Sequence, residues 1–99
     1  MQFISTVENL AQQVAQLGHA LRIEEYENVN KVKDYAQDLY NIADELAELD
    51  EQEMLASILK CTQAMMDAYN AMNAVALADV LEYELLHECE KIIDLLKNE

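Results

Sequence analysis

The chain has 99 residues, of which 53% are hydrophobic, and 20 acidic against 6 basic side chains give it a formal net charge of −14. Such an acidic surface repels nucleic acid and anionic lipid, and no apolar run approaches the roughly 20 residues that span a bilayer, so neither nucleic acid nor a membrane is an expected partner. With one glycine and no proline to interrupt a helix, the sequence predicts a single all-α domain over residues 1–99.

The start of the chain and its two cysteines bear on the compartment. The first residues lack the pattern of a secretory signal, which is a basic start, an apolar core and a cleavage site of small residues, so no secretory signal is predicted. Cys61 and Cys89 do not amount to a disulfide framework, and both fall on or beside apolar faces, where a reduced cysteine packs as a small hydrophobe. The expected location is therefore cytoplasmic.

Two apolar stripes at helical spacing occupy the first half of the chain. The first stripe comprises Val7, Leu10, Val14, Leu17 and Leu21. The second comprises Val32, Tyr35, Ala36, Leu39, Ile42, Ala43, Leu46 and Leu49. Between them, Glu24, Glu25 and Asn28 interrupt the apolar seam, which predicts a turn within residues 23–30 rather than one long helix.

Two further stripes follow in the second half. At about 100° per residue, the third stripe (residues 54–72) is rotated relative to the second, which predicts a turn near Asp50, with Asp50 as the cap of the third helix. The fourth stripe is nearly opposite in phase to the third, which predicts a break at residues 70–74. Four helices with short connections predict an antiparallel four-helix bundle; the alternative is three long helices that complete their core as a dimer.

The fourth predicted helix is unusually apolar. Its hydrophobic positions, which run from Leu77 to Leu96, spread over about half the circumference, whereas an ordinary surface helix needs a stripe somewhat over 100° wide. We therefore expect this helix either to contact two neighbours deeply or to offer an apolar edge to a partner. Glu82 projects into this arc, so its carboxylate lies either at a rim in water or in a pair with Arg22 or Lys60 within a recognition groove.

Residues 73–85, Asn-Ala-Val-Ala-Leu-Ala-Asp-Val-Leu-Glu-Tyr-Glu-Leu, carry a resemblance. This segment resembles the C-terminal signature, approximately Asp-Tyr-Val-Leu-Leu-Ala-Asp-Leu-Leu-Glu-Tyr-Glu-Leu, of small acidic all-helical bacterial proteins of unknown function. Asn73 and Ala74 stand in place of Asp-Tyr, and His87 in place of a following proline. The resemblance implies an all-helical domain and an accessory role in flagellar or export assembly.

Three partial motifs point to chemistry, and none is complete. Glu84 and His87 form a Glu-x-x-His pair, but a di-iron bundle needs a second such pair and two further glutamates. His19 resembles the histidine of a phosphotransfer domain, but Ile23 stands where those domains have glycine. Acidic residues 44–48 lack the downstream Glu-x-x-Asp of a Mg²⁺-dependent pyrophosphohydrolase. No catalytic residue, metal or cofactor is therefore predicted, and a metal-dependent enzyme or a phosphotransfer domain ranks below a binding role.

The sequence favours a non-enzymatic, cytoplasmic protein-binding module, and the resemblance implies an accessory or chaperone-like role in flagellar or export assembly. It would hold a partner helix, amphipathic and basic, against helices three and four. The predicted contact residues are Met72, Asp79, Glu82, Tyr83 and Glu84. The alternative is a structural homo-oligomer, such as a homodimer, that buries the broad face of the fourth helix against its own copy.

Overall fold

The structure, a computed structural model, describes residues 2–98 and contains helices but no strand among them. Its elements are α1 (Gln2–Arg22), a short 3-10 turn (Val29–Lys31), α2 (Val32–Glu48), α3 (Gln52–Asn70), α4 (Ala74–Asp79), a π-helical turn (Val80–Leu85) and α5 (Leu86–Lys97). The last three elements continue into one another with helical backbone angles, and together they are called the fourth helix (residues 74–97). The all-helical prediction is confirmed, as are the breaks within residues 23–30 and 70–74.

The four helices share one hydrophobic core. The fourth helix packs against both α1 and α3, α2 packs against α3, and α1 also touches α2, so a four-helix arrangement fits these contacts. The fully buried side chains include Leu10, Val14, Leu39, Ile42, Ile58, Met65, Leu81, Leu85 and Ile92. Burial of each such side chain contributes about 1.5–3 kcal/mol to the free energy of unfolding, so the shared core supplies most of the stability.

Three helices end in the same way, on a residue with left-handed backbone angles. The φ angles are 62° at Glu24, 59° at Asp50 and 56° at Met72, which follow α1, α2 and α3. In each case the next residue donates its N–H to a carbonyl five positions back, at distances of 2.8–3.1 Å. This pattern closes a helix and turns the chain, and it usually employs glycine at the left-handed position. None of the three positions is glycine.

The prediction for Asp50 is wrong in its detail. The chain does turn there, but Asp50 donates its N–H to Ala47 O at 3.1 Å and so belongs to the end of α2. The residue that precedes α3 is Glu51, whose side chain makes no capping hydrogen bond. Asp50 cannot serve as the cap of α3 because its left-handed backbone is already used to close the preceding helix.

The π-helical turn explains the broad apolar arc of the fourth helix. Leu86 donates its N–H to Leu81 O, five residues back instead of four, so the turn contains one extra residue. The stripe Leu77, Leu81, Leu85 and Cys89 advances in steps of four, which at about 100° per residue would drift by about 120°. The extra residue cancels most of that drift, and all four side chains are buried. The fourth helix thus contacts two neighbours, α1 and α3, which agrees with the expectation that its broad apolar face packs against two helices.

Candidate functional site

An ion cluster joins the end of α1 to the fourth helix. Arg22 donates from Nε to Glu82 Oε1 at 2.6 Å and from Nη2 to Asp79 Oδ1 at 2.8 Å. Its guanidinium carbon also lies 5.2 Å from the ring centroid of Tyr83, within reach of a cation–π contact. The hydrogen bond to Asp79, followed by that to Glu82, raises the pKa of Arg22 above its ordinary value. These four residues are called the Arg22 cluster.

Gly18 makes room for the Glu82 side chain. A Cβ atom placed on Gly18 would overlap Glu82 Cγ and would lie 3.1 Å from Cδ. The absence of a side chain at this position therefore lets the stem of Glu82 lie on α1 and reach Arg22, one helical turn further along. The Glu82 side chain is 27% exposed, so it lies at a rim and is also paired with Arg22. Of the two possible partners, the structure selects Arg22 rather than Lys60.

A groove opens at the end of the molecule where the connection between α1 and α2 meets the junction of α3 and α4. Its volume is about 630 Å³. Its lining comprises Tyr26, Val29, Asn30, Ala68, Tyr69, Asn70, Met72, Asn73, Ala74 and Leu77. Tyr69 donates its hydroxyl to Asn30 Oδ1 at 2.6 Å, and Asn73 Oδ1 accepts the Ala76 N–H at 3.0 Å, so hydrogen bonds brace two walls of the groove.

The structure separates the five predicted contact residues into three places. Asp79, Glu82 and Tyr83 come together in the Arg22 cluster, and Met72 forms a lip of the groove with its side chain 92% exposed. Glu84 is exposed but acts electrostatically on Cys61, so it faces the α3 side and stands apart from the cluster. The sequence did not single out Tyr26 and Asn30 as groove residues, because they lie in the irregular connection, where no periodicity applies.

Both cysteines are free, buried and poorly suited to nucleophilic chemistry. Burial raises the pKa of Cys61 to about 11, with a smaller contribution from the nearby Glu88 carboxylate. Burial likewise raises the pKa of Cys89 to about 12, with Cys61 as the next contributor. Because the thiolate is the reactive form, neither thiol is activated near neutral pH.

The histidines and carboxylates do not assemble a metal centre in the part of the chain that the structure describes. Within residues 2–98, no group of three or more His, Cys, Asp or Glu side chains is placed to hold a metal ion. His19 and His87 are both exposed, at the surface of α1 and α5 respectively. The described helices also include none with the length and hydropathy to cross a membrane.

Comparison with known proteins adds no relative. No protein-family model matches the chain, and neither a curated protein nor a solved structure is significantly similar to it. The resemblance of residues 73–85 to small acidic helical proteins therefore stays a prediction.

Proposed function

We propose that this chain is a non-enzymatic, cytoplasmic protein-binding module, built as an antiparallel four-helix bundle, that holds an amphipathic helix of a partner protein. The binding surface comprises the groove and the adjacent Arg22 cluster. An accessory or chaperone-like role in export assembly is the biological setting that the resemblance of residues 73–85 implies. Acidity, size and helical content agree with that setting.

The distribution of exposed apolar side chains carries this proposal. Eight large hydrophobic side chains are exposed among residues 2–98, and five of them lie in just two segments, residues 23–26 and 72–83. Those five are Ile23, Tyr26, Met72, Val75 and Tyr83. Of these five, Tyr26 and Met72 line the groove, and Arg22, which precedes Ile23, contacts the Tyr83 ring. A groove with exposed apolar side chains at its edge is typical of a protein interface.

Two of these side chains are especially informative. Val75 is 69% exposed and Tyr83 is 68% exposed, although both belong to a helix whose opposite face is fully buried. Tyrosine is enriched at interfaces because it joins a large apolar ring to a polar hydroxyl. Arg22 holds the Tyr83 ring in place through the cation–π contact, which lowers the entropy that a partner would have to remove on binding.

A structural homo-oligomer is the second candidate, because the same apolar surface could be buried against a second copy. Charge weighs against it: each copy carries a formal charge of −14, so two like surfaces repel. A partner with an excess of basic residues is attracted rather than repelled by the acidic surface, which raises the rate of association.

The test is affinity capture from the source organism's lysate at low and high salt, with the recovered proteins identified by mass spectrometry. Tyr83→Ala is compared with Tyr40→Ala, which removes another exposed tyrosine that does not line the groove. The proposal expects one protein to be recovered by the wild type and by Tyr40→Ala, to be weakened by Tyr83→Ala and to be released by salt. Recovery of its own copies alone would support the homo-oligomer.

A further inference from the structure

The residues that line the groove, called its neutral floor, carry no charge, although the chain is strongly acidic. None of the ten residues that line it is Asp, Glu, Lys, Arg or His, although 26% of the chain is charged. Its surface comes from tyrosine rings, aliphatic side chains and the amides of three asparagines. Such a surface suits uncharged, mainly apolar groups, because an ionised group placed there would lose hydration without gaining a counter-charge.

Among the charged residues that neighbour the lining residues in the sequence, acidic ones outnumber basic ones. Glu24, Glu25 and Glu27 are exposed and flank Tyr26, and Asp67 is exposed beside Ala68 on α3. Two lysines also lie near the groove: Lys31 follows Asn30, and the Lys33 amino group lies 5.9 Å from the Tyr69 ring centroid. Residues 24–27, which carry three exposed glutamates beside Tyr26, are called the acidic edge.

Met72 occupies the lip of the groove against the preference of its own backbone. Its φ angle of 56° lies in the left-handed region, where glycine or asparagine is favoured, and its side chain is 92% exposed. Neither the turn nor the core therefore accounts for methionine at this position. A flexible, polarisable thioether is, however, well suited to contact the apolar face of another protein.

From this arrangement we infer that the groove is the seat of an amphipathic helical segment of a different protein, one that inserts uncharged apolar side chains and directs basic residues towards residues 24–27. This inference rests on the proposed function and specifies its site and the chemistry of its partner. A groove of about 630 Å³ falls in the range of about 300–1,000 Å³ that binding pockets occupy. It holds a few anchor side chains at i, i+3 and i+7 spacing, while the rest of the helix stays outside. A second copy of this chain is disfavoured as the occupant, because its acidic surface would face the acidic edge.

The experiment uses three designed peptides of about 18 residues, long enough to form a helix. The first has leucines at i, i+3, i+4 and i+7 spacing and lysines elsewhere; the second replaces every lysine with glutamate; the third replaces every leucine with glutamine. Binding to the full chain is measured by calorimetry and mapped by NMR chemical shifts. The inference expects the leucine–lysine peptide to bind, to shift the signals of Tyr26, Tyr69 and Leu77, and to outcompete both other peptides.

Two variants separate a groove contact from general charge attraction. Met72→Gly removes the side chain at the lip and relieves the left-handed backbone strain at this position, so the fold is retained. Leu59→Ala is the control: it removes another exposed apolar side chain, on α3 outside the groove, and leaves the net charge unchanged. We expect Met72→Gly to weaken the peptide by about tenfold or more and Leu59→Ala to leave its affinity unchanged. The inference would be overturned if both variants weakened peptide binding equally, or if the leucine–glutamate or glutamine–lysine peptide bound as tightly as the leucine–lysine peptide. It would also be overturned if the NMR signals of the groove residues did not shift. If lysate capture still depends on Tyr83 after such a result, the protein-binding module stands and only the groove assignment fails.

Discussion

The contact between Gly18 and Glu82 yields a quantitative prediction about how α1 meets the fourth helix. A methyl group added at Gly18 overlaps the Glu82 stem, and overpacking of this kind costs about 1–3 kcal/mol. Alanine is also favoured over glycine in a helix by about 0.5–1 kcal/mol. Gly18→Ala should therefore destabilise the wild type by about 0–2.5 kcal/mol. In a Glu82→Ala background the overlap is gone, and the same substitution should stabilise by about 0.5–1 kcal/mol.

The assay is a double-mutant cycle measured by urea unfolding of the four proteins. The two effects of Gly18→Ala differ by about 1–3 kcal/mol, and this difference is the expected coupling between the positions. Glu84→Ala serves as the control background, because Glu84 is exposed in the same segment but does not touch Gly18. A coupling to Glu82 no larger than the roughly 0.3–0.5 kcal/mol of independent sites would refute the proposed close approach.

Three further predictions concern stability and pH. Met72→Gly should stabilise the protein by about 0.5–1 kcal/mol in urea unfolding, because glycine relieves the left-handed backbone by more than it adds to unfolded-state entropy; a loss of stability would contradict this strain. Since the pKa of Cys89 is raised to about 12 in the folded state, its contribution to stability is complete below the unfolded thiol's pKa and is lost as pH rises towards 12. Cys89→Ala should therefore reduce the alkaline fall in stability above about pH 9, by up to about 1.4 kcal/mol per pH unit, and an unchanged slope would oppose this. Tyr69→Phe removes the 2.6 Å hydrogen bond to Asn30 and should cost about 0.5–1.5 kcal/mol, with faster amide hydrogen exchange in residues 26–31.

The helices were predictable because their apolar spacing follows directly from burial on one face. The stripe of α1 that runs from Val7 to Leu21 is buried along its whole length, and all three predicted breaks coincide with interruptions or phase changes of the stripes. The capping detail at Asp50 was not predictable in the same way. An aspartate can close one helix or begin the next, and only the backbone hydrogen bonds distinguish these roles.

A fixed angle of about 100° per residue along the fourth helix does not reveal the π-helical turn. The steps of four from Leu77 to Cys89, without an intervening step of three, are the signal that could have revealed it. The sequence leaves Arg22 and Lys60 open as partners of Glu82. Arg22 and Glu82 are 60 positions apart, and spacing along the chain cannot decide a pairing over that separation. The groove has no sequence signature, because it arises where two irregular connections meet at one end of the helices.

Site-specific photo-cross-linking in the source organism tests whether the surface formed by residues 23–26 and 72–83 binds another protein. A photoreactive amino acid replaces Met72 in one strain and Leu59, an exposed residue outside the groove, in another. We expect position 72 to give one cross-linked product with a different, basic protein and position 59 to give none. Cross-links from both positions alike, or from position 72 only to copies of the same chain, would contradict it.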